Sequence, residues 1–200
     1  MKVIGLCGGS GSGKGTVGLV FSKYNIPSID TDLVYRELTC KGGECLDALA
    51  LEFGDGIIGE GGDLDRKRLA SIVFGAKDSE ARLARLNEIT HKYILDEVRQ
   101  RLGKFSDAGY TAAIVDAPVL FESGFDKECD HIVCVLADED IRVDRIIRRD
   151  GITPDQARAR IASQISNELL ASRCDSIIYN NGSIYELDDQ VLSLITKITN

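Results

Sequence analysis

The sequence predicts an α/β fold in three layers, a five-stranded parallel sheet with helices on both faces. Two observations point there. Five short apolar runs have the length and content of buried parallel strands: Val3-Ile4-Gly5-Leu6-Cys7, the stretch 25–30 around Ile26 and Ile29, 111–116 around Ile114 and Val115, 131–137, and 175–179. Between them, apolar residues recur at three- and four-residue steps, the helical period that right-handed crossovers between parallel strands require. A length of 200 residues suffices for one such domain with insertions.

Taken in order, the first strand leads into Gly8-Gly9-Ser10-Gly11-Ser12-Gly13-Lys14-Gly15-Thr16. A strand, a glycine turn, a lysine and then a helical pattern starting at Val17 is the context of a phosphate-binding P-loop, rather than of a flexible Gly/Ser link. Its glycines let backbone N–H groups turn inward around phosphate oxygens, and the helix N-terminus adds its dipole. The pattern therefore assigns ATP-type binding to Gly9, Gly11, Ser12, Gly13, Lys14, Gly15 and Thr16, with Lys14 following the β- and γ-phosphates. Gly15 stands where the pattern wants a Mg²⁺-binding Ser or Thr. Thr16 is rotated from that position by about 100° of helix and does not replace it directly.

The next short strand ends at Asp30, and Thr31-Asp32 starts a helix. Residues 44–53 read as an amphipathic helix and 54–62 as a glycine-rich loop. From Asp65 to about Gly103 the pattern is almost continuously helical, longer than a crossover needs, and reads as an inserted helical subdomain. The strand at 111–116 ends in Asp116, and the strand at 131–137 leads into a helix running to Arg149. Residues 153–172 are helical and charged, and the chain closes with a strand at 175–179 and a helix over 184–199. Ligands of such sheets lie at the carboxyl ends of the strands, so the P-loop, Asp30, Asp32 and Asp116 are expected around one crevice.

Composition narrows the function classes. A net charge of −8 disfavours a nucleic-acid surface, and no apolar run reaches the length of a membrane span. Met1-Lys2 leads straight into a strand with no signal peptide, so the expected compartment is the cytoplasm. The six cysteines form no C-x-x-C pair, and neither histidine has metal-ligand spacing, so reduced thiols and no zinc are expected. Cys7 and Cys134 read as small buried hydrophobes.

Three constellations carry chemistry. Asp30 and Asp32, two apart at a strand end, point differently and can divide the tasks of orienting an acceptor hydroxyl and facing a metal; the plainer role for Asp32 is a helix cap. Asp116 fits a carboxylate that holds Mg²⁺ directly or through water. Arg142, Arg145, Arg148, Arg149, Arg158 and Arg160 cluster in an otherwise acidic chain. Pro154 restarts the helix after Gly151-Ile152-Thr153, so the region reads as a helical hairpin able to close over phosphates. A solvated face paired with Asp144, Asp150 and Asp155 is the alternative.

These stretches together resemble the dephospho-CoA kinase family from Val3 to about Leu187. The resemblance rests on the P-loop with its doubled Gly8-Gly9, on Asp30-Thr31-Asp32 followed by Arg36, and on Leu64-Asp65-Arg66. His91, Asp116-Ala117-Pro118-Val119-Leu120-Phe121-Glu122, Arg145, Arg149, Gln164 and Asp175 through Gly182 extend it. It implies a three-layer P-loop NTPase fold with a helical substrate-binding insert and a lid. It implies transfer of the ATP γ-phosphate to the ribose 3′-hydroxyl of dephospho-CoA, with Mg²⁺. By resemblance the nucleotide core is 1–60, 106–140 and 174–200, the helical CoA-binding domain 61–105 and the lid 141–173. Asp32 would be the base and Lys14, Arg145 and Arg149 its catalytic partners. Asp30, Arg36, Arg66, His91, Asp116 and Phe121 would face the acceptor, and Asn180 and Gly182 the adenine. Gly15 departs from the family's Ser or Thr, Lys92 from the proline after the histidine, and Cys174 from the alanine before Asp175. Another small-molecule or nucleoside-monophosphate kinase would share the Gly-Lys-Gly-Thr ending, and a regulatory nucleotide switch would need a guanine-reading motif that the chain lacks.

Overall fold

The structure, a computed structural model, describes residues 1–75 and 77–199. The chain divides into two compact units, Met1–Asp30 with Leu102–Asn200, and Thr31–Arg101. The first unit carries the sheet: β1 (Lys2–Cys7), β2 (Ser28–Asp30), β3 (Ala112–Asp116), β4 (His131–Leu136) and β5 (Ser176–Tyr179). Their order is β2-β3-β1-β4-β5 and all pairs are parallel. The central strand β1 reads as a near-continuous apolar run because a parallel strand in this position is covered on both faces.

Register decides what the sheet presents at its carboxyl edge. Leu6 of β1 and Asp30 of β2 both pair with Asp116 of β3, and Cys7 pairs with Cys134 of β4. On one face, α1 (Lys14–Lys23) and α9 (Ile184–Thr199) bring Val17, Val20, Phe21, Leu187 and Val191 against Ile4, Leu6, Ile114, Val133 and Ile178. Burial of each such side chain contributes about 1.5–3 kcal/mol, and this layer fixes the start of α1 relative to the end of β1.

Three more helices follow β4: α6 (Glu139–Asp150), α7 (Pro154–Ala162) and α8 (Asn167–Ala171). Gly151 (φ 65°) ends α6, and Thr153 with Gln156 forms a capping box that starts α7 at Pro154. The two helices make a hairpin with its own apolar cluster of Val143, Ile146 and Ala157. The charged stretch 153–172 is broken rather than continuous. Ser163 caps the end of α7, and the Ser166 hydroxyl accepts from the Leu169 N–H to restart the chain as α8.

The second unit is helical: α2 (Thr31–Leu38), α3 (Glu44–Phe53), α4 (Arg66–Phe74) and α5 (Ser79–Asp107) up to Arg101. Its boundary differs from the expected one, starting at Thr31 rather than residue 61. The reason is packing: Cys45, Leu46 and Leu49 of α3 share one cluster with Leu69, Val73 and Ile89, and Tyr35 and Leu38 of α2 pack against it. The helical pattern from Asp65 is also not one rod. It ends at Gly75 and turns through Lys77 and Asp78 before α5 begins. Asp65 caps α4 by accepting from the Lys67 and Arg68 N–H groups, both at 3.1 Å.

Candidate active site

The loop 8–13 joins β1 to α1 at the carboxyl edge of the sheet. Gly11 (φ 79°) and Gly13 (φ 89°) hold left-handed conformations that other residues adopt at a cost. A Cβ on Gly11 would also lie 2.6 Å from the Arg142 carbonyl oxygen. Gly13 is the N-cap of α1 and no side chain caps that end, which leaves the helix start as an anion-binding end. The Ser12 N–H closes the loop on the Gly9 carbonyl at 3.1 Å. Lys14 Nζ donates to the Gly8 carbonyl at 2.9 Å, folded back over the nest. The Ser12 hydroxyl is buried without a hydrogen-bond partner among the described residues.

The arginines do not behave as one cluster. Arg142 is buried, 5% exposed, and its guanidinium donates to the Ser10 carbonyl (2.9 Å), Gln164 Oε1 (3.0 Å) and Asn167 Oδ1 (3.2 Å). Gln164 Oε1 also accepts from the Ser10 N–H at 3.0 Å. Burial lowers the pKa of Arg142, an expense offset by its three neutral acceptors. Arg145, one helical turn on, donates to the Gly11 (3.3 Å), Ser12 (3.2 Å) and Asn180 (2.9 Å) carbonyls. Arg149 reaches Ser10 Oγ at 3.4 Å and pairs with Asp150, which Arg160 also holds. Arg148 pairs with Asp144 at 3.8 Å and Arg158 with Asp140 at 4.0 Å, in the manner of a solvated face.

Asn180 and Gly182 follow β5. Asn180 is 6% exposed, and its amide donates to the Ser12 carbonyl at 2.8 Å, so it braces the phosphate loop directly. A Cβ on Gly182 would meet the carboxylate end of the Glu186 side chain, which would have to swing aside. Asn181 exchanges hydrogen bonds with Asp138, at 2.8 and 2.9 Å, which ties this turn to the start of α6. Phe121 lies under the Arg173 guanidinium at 3.9 Å. With Cys7, Gly8, Gly9, Gln164 and Leu170 it lines a cavity of about 240 Å³ beside the loop.

The carboxylates divide between the units. Asp30 and Asp116 end adjacent strands in register, at the edge from which the P-loop springs. Two oxygen-donor carboxylates in that position fit a hard divalent cation. Gly15 offers no donor, and a Cβ there would meet nothing within 4 Å. In the helical unit, Asp32 stands exposed in the first turn of α2 with Arg36 one turn later. Arg66 donates to Thr39 Oγ1 at 3.1 Å and covers the Tyr35 ring at 5.4 Å. His91 is half-buried within α5.

Two features escaped the sequence reading. Arg142 was one of six arginines, and only its three- and seven-residue spacing to Arg145 and Arg149 hinted at a shared face. The sulfurs of Cys7, Cys134 and Cys174 converge within 4.8 Å although they are far apart in the chain, so no linear spacing could show it.

The description of the dephospho-CoA kinase family matches residues 2–186. The chain belongs to that family. It is 38% identical to the dephospho-CoA kinase of Corynebacterium glutamicum, over 99% of this chain and 98% of that one. With the Syntrophotalea carbinolica enzyme of the same name it shares 36%, over 99% and 92%. A solved protein of Thermus thermophilus superposes with a TM-score of 0.81 at 26% identity, covering 100% and 98% of the two chains. Shikimate kinase of Bacteroides thetaiotaomicron, at TM-score 0.59 and 16% identity over 100% and 99%, shows that the fold is the P-loop kinase fold. As a dephospho-CoA kinase family member the chain is an ATP-dependent kinase of the last step of CoA biosynthesis.

Proposed function

We propose that the chain moves the γ-phosphoryl group of ATP onto the ribose 3′-hydroxyl of dephospho-CoA, with Asp32 as the base. The observation that carries this is the braced phosphate nest at Gly8–Lys14, together with Asp30 and Asp116 ending neighbouring strands beside it. The backbone N–H groups and Lys14 bind the triphosphate, and Arg145 and Asn180 hold the loop in shape. Arg149 stands at the loop's rim and completes the positive wall. Asp116, with Asp30 beside it, would hold Mg²⁺, which when bound neutralises charge on the β- and γ-oxygens. Asp32 orients the acceptor hydroxyl and takes its proton as the new P–O bond forms. Arg36, Arg66 and His91 bind the acceptor, Phe121 lines its approach, and Asn180 and Gly182 lie toward the adenine. The helical unit serves as the CoA-binding domain and the α6–α7 hairpin as the lid.

No helix of the described residues is long and apolar enough to cross a membrane. The test is ADP release by the pure protein with Mg-ATP, comparing dephospho-CoA, AMP and no acceptor. Stimulation by dephospho-CoA alone, with product phosphorylated at the 3′ position, is expected. Stimulation by AMP alone would replace this reading with a nucleoside-monophosphate kinase.

A further inference from the structure

Directly behind the phosphate loop three thiols meet. Cys7 is the last residue of β1 and Cys134 its register partner in β4, so both side chains leave the same face of the sheet, opposite α1 and α9. Cys174 comes from the turn between α8 and β5 and places its sulfur 3.4 Å from that of Cys7. No pair among the three sulfurs exceeds 4.8 Å. Thiolates bound at about 2.3 Å to one ion are separated by about 3.8–4.0 Å, whether the ion is tetrahedral or trigonal. The Cys7–Cys174 separation lies just under that value and neither other pair lies beyond 4.8 Å, so an ion would need shifts of about an ångström or less.

We propose that Cys7, Cys134 and Cys174 form a binding site for one thiophilic d¹⁰ cation, of the class Zn²⁺, Cd²⁺ or Cu⁺. An all-sulfur set selects soft ions and leaves hard Mg²⁺ to the oxygen donors at the sheet edge. Hydrogen bonding among the thiols and then burial hold the Cys7 and Cys134 thiols up, while Lys14 pulls toward charge on Cys134 and Arg173 toward charge on Cys174, against Asp175, so the ion itself displaces the protons on binding. One side chain is partly open to solvent, Cys174, while Cys7 and Cys134 are 2% and 0% exposed. An ion therefore has an entrance at Cys174, and Cys7 also borders the cavity lined by Phe121 and Gln164. The site ties β1 to β4 and to the start of β5, all in the unit that carries the P-loop. None of its three ligands is a group assigned to phosphate transfer, and the site does not depend on the substrate assigned above.

The test titrates Cd²⁺ into the full-length protein, reduced with a phosphine, and reads the ultraviolet sulfur-to-metal charge-transfer band and Tm. One tight ion per chain is expected, with Tm rising as the ion is added. Cys174→Ser and Cys134→Ala are each expected to weaken binding by at least ~10²-fold and to remove the Tm rise. Cys40→Ser, which removes an exposed thiol of the helical unit, should leave both unchanged. Equal Cd²⁺ affinity in wild type and in the two cluster variants would overturn the proposal. Should those variants fail to fold, X-ray absorption on the zinc-loaded wild type decides. Three sulfurs at about 2.3 Å support the site, and a shell of oxygen and nitrogen alone refutes it.

Discussion

Arg142 braces the phosphate loop from behind, together with Arg145 and Asn180. Its guanidinium is buried and satisfied by three neutral oxygens on two different segments, an arrangement whose geometry only a planar fork can serve. Arg142→Lys should therefore cost about 2–3 kcal/mol in denaturant unfolding, because acceptors at Gln164 and Asn167 lose their donors. It should also raise the KM for ATP through the loosened Ser10 segment. An unchanged unfolding midpoint would assign Arg142 no such part. Asp32 makes the opposite case, exposed and reading out in rate rather than stability. Asp32→Asn should leave ATP affinity within a factor of about two while turnover falls at least ~10²-fold, the contribution of a positioned base. If turnover held, Asp30 would take the role. Of these two, the place of Asp32 at a strand-to-helix junction was legible from the sequence, because Asp-Thr-Asp behind a short apolar run is a local signal. Arg142 was not, since its partners Ser10, Gln164 and Asn167 are far off in the chain.

Among the elements, α1 is the informative one. It starts at Gly13 without a side-chain cap and runs at once into Gly15, whose Cβ position is empty space. Gly15→Ser therefore fits without displacement. It should stabilise the fold by about 0.5 kcal/mol from helix propensity alone. The added hydroxyl should also lower the Mg²⁺ concentration needed for half-maximal rate. A Mg²⁺ requirement that does not move would show that this helix position lies outside the metal's reach. The elements themselves were largely readable: the last helix and the helix at 44–53 occupy the residues that periodicity assigned. Periodicity failed where a helical pattern continued through a turn, at Gly75 and again at 163–166, because apolar spacing persists across a short break while the backbone does not. The early start of the helical unit was hidden for a related reason, since membership depends on which cluster a helix packs into.

At the scale of the whole molecule, sheet integrity has a pH signature. His131 Nε2 meets Ser176 Oγ at 2.9 Å, joining β4 to the edge strand β5. Burial holds the His131 pKa below its ordinary 6.5. The unfolded chain thus binds more protons between the folded value and 6.5, and stability from this group is present above 6.5 and lost as pH falls through that window. His131→Gln should flatten the Tm–pH curve there, and an identical slope in the variant would clear His131 of the effect. The fold class was legible because five apolar runs and their crossovers add up regardless of their partners. The bracing of the phosphate loop was not, and it has a consequence for how the chain is made. The loop is synthesised before every residue that braces it, since Arg142, Arg145, Gln164 and Asn180 hold its backbone, and both neighbours of β1 come later. During synthesis the nest has only its own local bonds, from Ser12 to Gly9 and from Lys14 to Gly8, until Asn180 has emerged. A nascent chain truncated before Asn180 should carry every glycine of the motif and still fail to retain ATP.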